Sequence, residues 1–265
     1  MQSWWSWVCF ASLSTLGTVA FLPATLAGAA PLEFRVENSV YVDQSSRPIS
    51  ESITLFVNDK FYDFLRQPEE IVIFNPTLRH FTLLYPPAQL RTELRVEQVA
   101  AFITTLRSWA LKHEDSFLRF LASPEITVQD HPGAAAISFD SEYLSYLVDV
   151  DRPPSPQIAQ IYAEFSDWYS QLNTMVTPGS RLPFARLQVN KVLLERGLVP
   201  LRVELKLKPA AQKRNQPAVI RSYHNFFYRV SESDRSRANQ ADQFVQLFRQ
   251  VSFIEYQEKL RATTK

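Results

Sequence analysis

Hydrophobic and polar positions change their period along this chain, and the changes mark out its elements. From Val36 to Leu94 the apolar residues fall in short runs rich in Val, Ile, Phe, Thr and Tyr: Val36 to Val42, Ser52 to Val57, Lys60 to Leu65, Glu70 to Phe74, Leu78 to Tyr85 and Leu90 to Leu94. Breaks carrying Pro, Asn or Asp separate them, at Arg47-Pro48, Asn58-Asp59, Gln67-Pro68, Asn75-Pro76 and Pro86-Pro87. This spacing predicts an antiparallel meander joined by tight turns. Ile71-Val72-Ile73-Phe74 is apolar at every position, so the sheet should be covered on both faces, or covered on one and lining a cavity with the other.

The period then shifts to helical. Val99, Phe102, Ile103, Leu106, Ala110, Phe117, Leu118 and Leu121 predict a helix from Val96 to Ala122 that stops at Pro124. Strands are expected at Ile126 to Val128, Ala135 to Phe139 and Tyr143 to Val150, with Asp130-His131-Pro132-Gly133 as a turn. Pro156 to Val176 carries the clearest stripe, Ile158, Ile161, Tyr162, Phe165, Trp168, Leu172 and Met175, after Ser155 as a cap. A shorter helix is expected from Pro183 to Arg196, ending at Gly197. Val199 to Leu207 alternates apolar with charged residues as a half-buried strand does, and Pro209 to Pro217 is a polar loop leading to a strand from Val219 to Val230. A closing helix is expected from Asp234 to Leu260. These elements predict one α+β domain over residues 30–265, a curved antiparallel sheet covered by three to four amphipathic helices.

The residues before this domain have a different character, since no charged side chain precedes Glu33. Trp4, Trp5 and Trp7 open the segment, Val8 to Leu22 is apolar but for Ser, Thr and Gly, and Ala27-Gly28-Ala29 offers a small-residue cleavage pattern. Residues 1–29 are therefore read as a secretory signal peptide, with positive charge at its start only from the terminal amine. The alternative is an uncleaved anchor through residues 3–22, which would give membrane association. The expected location is exported, periplasmic or extracytoplasmic.

Composition removes several kinds of chemistry. The one cysteine, Cys9, lies in the leader, so the domain is expected to use no disulfide, thiol or Cys-bound metal. Beyond the leader only Gly133, Gly179 and Gly197 remain, each isolated, which excludes glycine-rich phosphate loops and the Gly-x-Ser-x-Gly elbow of esterases. A net charge of +1 gives no field to attract nucleic acid. His80, His113, His131 and His224 lack metal-ligand spacing, and His80 and His224 read as core or rim histidines. Asp140, Glu142, Asp149 and Asp151 flank one strand; carboxylate pairs can serve glycoside hydrolysis or calcium binding, but acids at strand ends usually face solvent. Lys206, Lys208, Lys213, Arg214 and Arg221 form a local basic tract that fits anionic headgroups or a solvated hairpin tip equally well. No cofactor is expected.

The stretch from Ser52 to Val99 carries Ile53-Thr54-Leu55-Phe56-Val57, Tyr62-Asp63, Glu70-Ile71-Val72-Ile73-Phe74-Asn75-Pro76, Phe81-Thr82-Leu83-Leu84 and Thr92-Glu93-Leu94. In these phrases it resembles the periplasmic lipoprotein carriers and their half-barrel relatives. The resemblance implies a half-barrel and a non-enzymatic role, binding a lipid or a lipoprotein acyl chain between sheet and helices. The chain lacks the carriers' glycine-led strand with its Arg-Pro phrase and opens on a strand where they have a helix, so no functional residue carries over. Cavity candidates are Phe56, Tyr62, Phe74, Phe81 and Tyr85 from the strands and Phe102, Trp109, Phe165 and Trp168 from the helices. Two other classes stay open: an envelope structural or interaction protein without a small ligand, and a hydrolase with a dispersed site.

Overall fold

The computed structural model describes residues 32–177, 179–211 and 218–263. The expected leader, its reading as an anchor, and Lys213 and Arg214 of the basic tract lie outside these residues. The meander forms as the turn chemistry dictates. Strands β1 (Phe34–Val42), β2 (Ser50–Val57), β3 (Lys60–Leu65), β4 (Glu70–Asn75), β5 (His80–Tyr85) and β6 (Leu90–Arg95) pair each with the next. Between β2 and β3, Val57 pairs with Lys60, and Asn58 and Asp59 both take left-handed backbone, φ 53° and 55°. Asn and Asp tolerate that region better than other side-chain-bearing residues, and the resulting two-residue turn matches the strand twist.

After β6 the chain continues through α1 (Val96–Leu111), α2 (Ser116–Ala122), β7 (Thr127–His131), β8 (Ala136–Asp140), β9 (Leu144–Asp151), α3 (Pro156–Val176) and α4 (Phe184–Glu195). It ends with β10 (Val199–Leu207), β11 (Val219–Phe227), α5 (Glu232–Leu247), β12 (Arg249–Gln250) and α6 (Phe253–Thr263). Among the described residues there are six helices and one open sheet of twelve strands, ordered β12-β6-β5-β4-β3-β2-β1-β11-β10-β9-β8-β7. Neighbours run antiparallel except β12, which lies parallel to β6. None of the described helices is long and apolar enough to cross a membrane.

Both faces of the β2 to β5 region are covered, which accounts for the uninterrupted apolar runs. Phe56, Phe61, Val72, Phe74 and Phe81 point to the face under α1, α3 and α6, while Leu55, Val57, Tyr62, Ile71 and Ile73 point to the face under α5. On the first face the rings of Phe34 and Phe56 stack at 4.1 Å and those of Phe74 and Phe81 at 4.5 Å. Phe165 of α3 stands edge-on to Phe56 and Phe61, with centroids at 5.4 and 5.8 Å. A separate cluster joins β8, β9 and β10 to α2 and α4.

Two helices expected to be continuous are broken, which raises the expected four to six. The first stops at Lys112 because Asp115 caps a new start, its carboxylate accepting from the Phe117 and Leu118 amides. The closing helix breaks because its two ends cover opposite faces of the sheet. Ala238, Ala241 and Phe248 pack on one face and Val251 and Tyr256 on the other, so the chain must pass round the sheet edge. It does so in extended form, the Arg249 and Val251 amides donating to the Gln89 and Arg91 carbonyls at 3.0 and 2.9 Å.

Candidate functional site

A row of polar side chains crosses the covered face beside the aromatic cluster. Alternation puts Ser222 and His224 of β11 on the same face as Phe226, Asn38 of β1 with Val36, Ser52 and Thr54 of β2 with Phe56, and Asp63 of β3 with Phe61. The register sets Asn38 opposite both His224 and Ser52, and Thr54 opposite Asp63. The Thr54 hydroxyl donates to Asp63 at 2.7 Å, so it accepts from the Asn38 amide nitrogen at 3.0 Å. That turns the Asn38 amide oxygen toward His224 Nδ1, 2.8 Å away, and the oxygen can only accept. His224 therefore carries its proton on Nδ1 and takes a bond from the Ser222 hydroxyl at Nε2, 3.0 Å away. Tyr162 of α3 meets the same Nδ1 at 3.1 Å as an acceptor, which leaves its own hydroxyl proton uncommitted.

This row floors a hollow. Helix α3 packs solidly at Phe165, but its next turns present Ser166, Tyr169, Asn173 and Thr174 to a cavity of about 490 Å³ between helix and sheet. Arg181, in the connection from α3 to α4, and Arg186, in the first turn of α4, complete the wall. A second cavity of about 440 Å³ lies between β3 to β5, α3 and α6, and shares Leu65, Tyr169 and Asn173 with the first. Its walls are mainly apolar, with Val72, Leu83, Leu172 and Leu260 among them, and Glu70 is its buried acid.

Burial dominates the electrostatics. It raises the Asp63 carboxyl above the usual range, against the opposing hydroxyls of Thr54, Tyr169 and Ser52. It lowers His224 to about 3, with the Arg186 charge adding to the effect, and raises Tyr162 to about 12 and Tyr169 well above the ordinary phenol value. Arg181 is pushed down by burial, with Tyr146 opposing. Glu70, which accepts from the Tyr256 hydroxyl at 2.7 Å, is raised to about 7 by burial. Neither Arg181 nor Arg186 forms an ion pair with a described residue.

Ser222, His224 and Asn38 stand in the order of a nucleophile, a base and an orienting group. The order does not make a base of His224: an imidazole lowered to about 3 does not retain a proton taken from a serine, and the Asn38 amide supplies no negative charge to hold an imidazolium. The geometry suits fixed neutral hydrogen bonding.

The sequence-derived aromatics do not gather round one cavity. Phe56, Phe74, Phe81, Tyr85 and Phe165 are buried in the packed cluster, Trp168 lies partly buried against Phe74, and Phe165 alone of the nine borders the larger hollow. Tyr62 faces the other side of the sheet, its hydroxyl 3.0 Å from Asp242. Phe102 and Trp109 face outward on α1, 37% and 51% exposed. The residues that do line the hollow left a faint trace in the sequence: Ser50, Ser52 and Thr54 make one face of β2 polar before Phe56, and Ser166, Tyr169, Ser170, Asn173 and Thr174 form a second stripe on α3 beside the apolar one.

Other candidate chemistry is committed locally. Asp149 pairs with Arg202, Asp140 with Lys208, and Lys206 with Glu204. His80 meets Thr82, His131 meets Ser138, and His113 accepts from the Asp115 amide. Among the described residues no group of three His, Cys, Asp or Glu is placed to hold a metal ion. No protein-family model matches the chain, and no curated protein matches it in sequence.

Proposed function

We propose that this protein is an exported, non-enzymatic binder of a lipid-like ligand, built as a curved half-barrel like the periplasmic lipoprotein carriers. The observation that carries the reading is the pair of adjoining hollows under α3. One carries a row of hydroxyls among apolar side chains such as Val203, Leu205 and Ile220, the other is walled by Val72, Leu83, Leu172 and Leu260 with Glu70 and Arg261 among them, and each has the size of a ligand pocket. Protein interiors are close-packed, so a fold that fills the space at Phe165 with stacked rings and leaves it open one turn later has a reason to be open there. An amphiphile suits the pair, its chain against Leu83, Leu172 and Leu260 and its polar end against the Asn38 to Asp63 row.

Two measurements test this. Native mass spectrometry of the protein purified from its own envelope should show co-purifying lipid, and a neutral hydrophobic dye should brighten on binding and be displaced by long-chain lipids. Leu83→Trp, which fills the apolar hollow, should abolish dye binding and leave the far-ultraviolet circular dichroism unchanged. A protein that carries no lipid and binds no dye refutes the reading. An envelope interaction protein is the second reading, supported by β7, which ends the sheet with Thr127 to Asp130 exposed and, among the described residues, no strand neighbour on one side; capture of a partner lost on Val128→Pro, with no dye binding, would favour it.

A further inference from the structure

We infer that the polar end of the ligand is an anion, a carboxylate or a phosphate monoester, held by Arg181 and Arg186 at the hydroxyl-lined end of the hollow. The inference rests on the lipid-binding reading and adds the headgroup class to it. Both guanidinium groups are half-buried in the cavity wall. Among the other half-buried arginines, Arg35, Arg91, Arg196, Arg202 and Arg235 each meet a carboxylate, and Arg221 is the exception, forming no ion pair with a described residue. Two cations drawn partly from water without an ion-pair partner are held at a cost that an entering anion offsets.

The carboxylates nearby do not fill that role. Asp63 is the one acid in the described cavity wall, and Thr54, Ser52 and Tyr169 already occupy its oxygens. Asp167 feels the Arg186 charge, but its carboxylate is engaged by the Asn190 amide at 2.7 Å and makes no ion pair with the arginine. Two hydroxyls of the wall are suited to donate. Tyr162 accepts from His224, and Ser166 accepts from the Asn190 amide at 3.0 Å, so each keeps its own proton for a ligand, whereas Ser170 donates to the Ser166 carbonyl at 2.6 Å. The connection that carries Arg181 is anchored to α3: the Thr174 hydroxyl, which donates to the Ser170 carbonyl at 2.9 Å, also lies 3.3 Å from the Arg181 carbonyl, and Gly179 at φ 81° makes the bend that brings the chain back from α3. Arg186 sits in the first turn of the twelve-residue α4, where the helix dipole adds positive potential to that of the side chain. From this end Tyr169 and Asn173 lead into the apolar cavity, so a headgroup on the arginines places its chain there.

The test uses the purified full chain with Nile red, a neutral dye, as reporter. Palmitate, hexadecyl phosphate, hexadecanol and inorganic phosphate compete in separate titrations. Palmitate or hexadecyl phosphate should displace the dye at concentrations about tenfold to a hundredfold lower than hexadecanol. Arg181→Gln with Arg186→Gln should bring the anions to the level of hexadecanol, and Arg181→Lys with Arg186→Lys should restore part of the preference. Unchanged far-ultraviolet circular dichroism and thermal unfolding show that the glutamine variant is folded. Equal displacement by palmitate, hexadecyl phosphate and hexadecanol in the native chain overturns the anion assignment and leaves the lipid reading standing. A preference that survives in the glutamine variant also overturns it. Thermal stabilisation by inorganic phosphate equal to that by hexadecyl phosphate overturns a lipid headgroup in favour of a free anion. A chain that binds none of the long-chain compounds overturns both readings.

Discussion

Replacing Glu70 with Gln isolates a single buried titration. Glu70 is 5% exposed, lies on β4, and accepts the Tyr256 hydroxyl of α6. Burial raises its carboxyl from 4.5 to about 7; the Tyr256 hydrogen bond opposes the shift and the Asp63 charge reinforces it. The folded chain therefore holds this proton more tightly than the unfolded chain does. Below 4.5 both states are protonated and the contribution to stability is complete. Between 4.5 and about 7 only the unfolded chain releases the proton, so stability falls as pH rises, by a total of about 3 kcal/mol once the folded value is passed. Glutamine keeps an oxygen for Tyr256 and carries no charge. Urea unfolding of both proteins from about pH 4 to about pH 9 gives a difference curve in which His224, Asp63 and Asp167 cancel. The variant should gain about 3 kcal/mol over the native chain between the two ends of the range. A flat difference curve would refute burial as the ruling influence on Glu70.

Other expectations follow from single contacts. His224 behaves oppositely to Glu70: with its folded value lowered from 6.5 to about 3, stability is complete above 6.5 and lost as pH falls below it, so His224→Gln should flatten the acid limb of the urea midpoint against pH. Phe165→Ala removes a ring packed against Phe56 and Phe61 and should cost about 3–5 kcal/mol in chemical unfolding. Asp59→Gly relieves a left-handed backbone at φ 55° and should raise stability by about 1 kcal/mol, a rise in Tm of about 2–4 °C by calorimetry. Asp115→Ala removes the cap of α2 and should cost about 1 kcal/mol in the same assay.

Local pattern determined most of the secondary structure. The meander from β1 to β6, the turn at Asn58-Asp59, helix α3 and the alternating strand β10 all stand where hydrophobic period and turn residues put them, because each depends on residues close in sequence. The apolar run Ile71 to Phe74 also announced a sheet covered on both faces, or covered on one and lining a cavity with the other, and helices cover both. Periodicity did not reveal the break at Phe248 to Ser252, because what forbids a straight helix there is that its ends must lie on opposite faces of the sheet. The site was hidden for a related reason. Its floor is assembled from Asn38, Thr54, Asp63, Ser222 and His224, whose proximity depends on β1 pairing with both β2 and the distant β11. Aromatic residues were conspicuous in the sequence, yet rings seek other rings and fill space, as Phe56, Phe74, Phe81 and Phe165 do. Where the interior is left hollow follows from how α3, α4 and α6 settle on the sheet, and only the tertiary structure decides that.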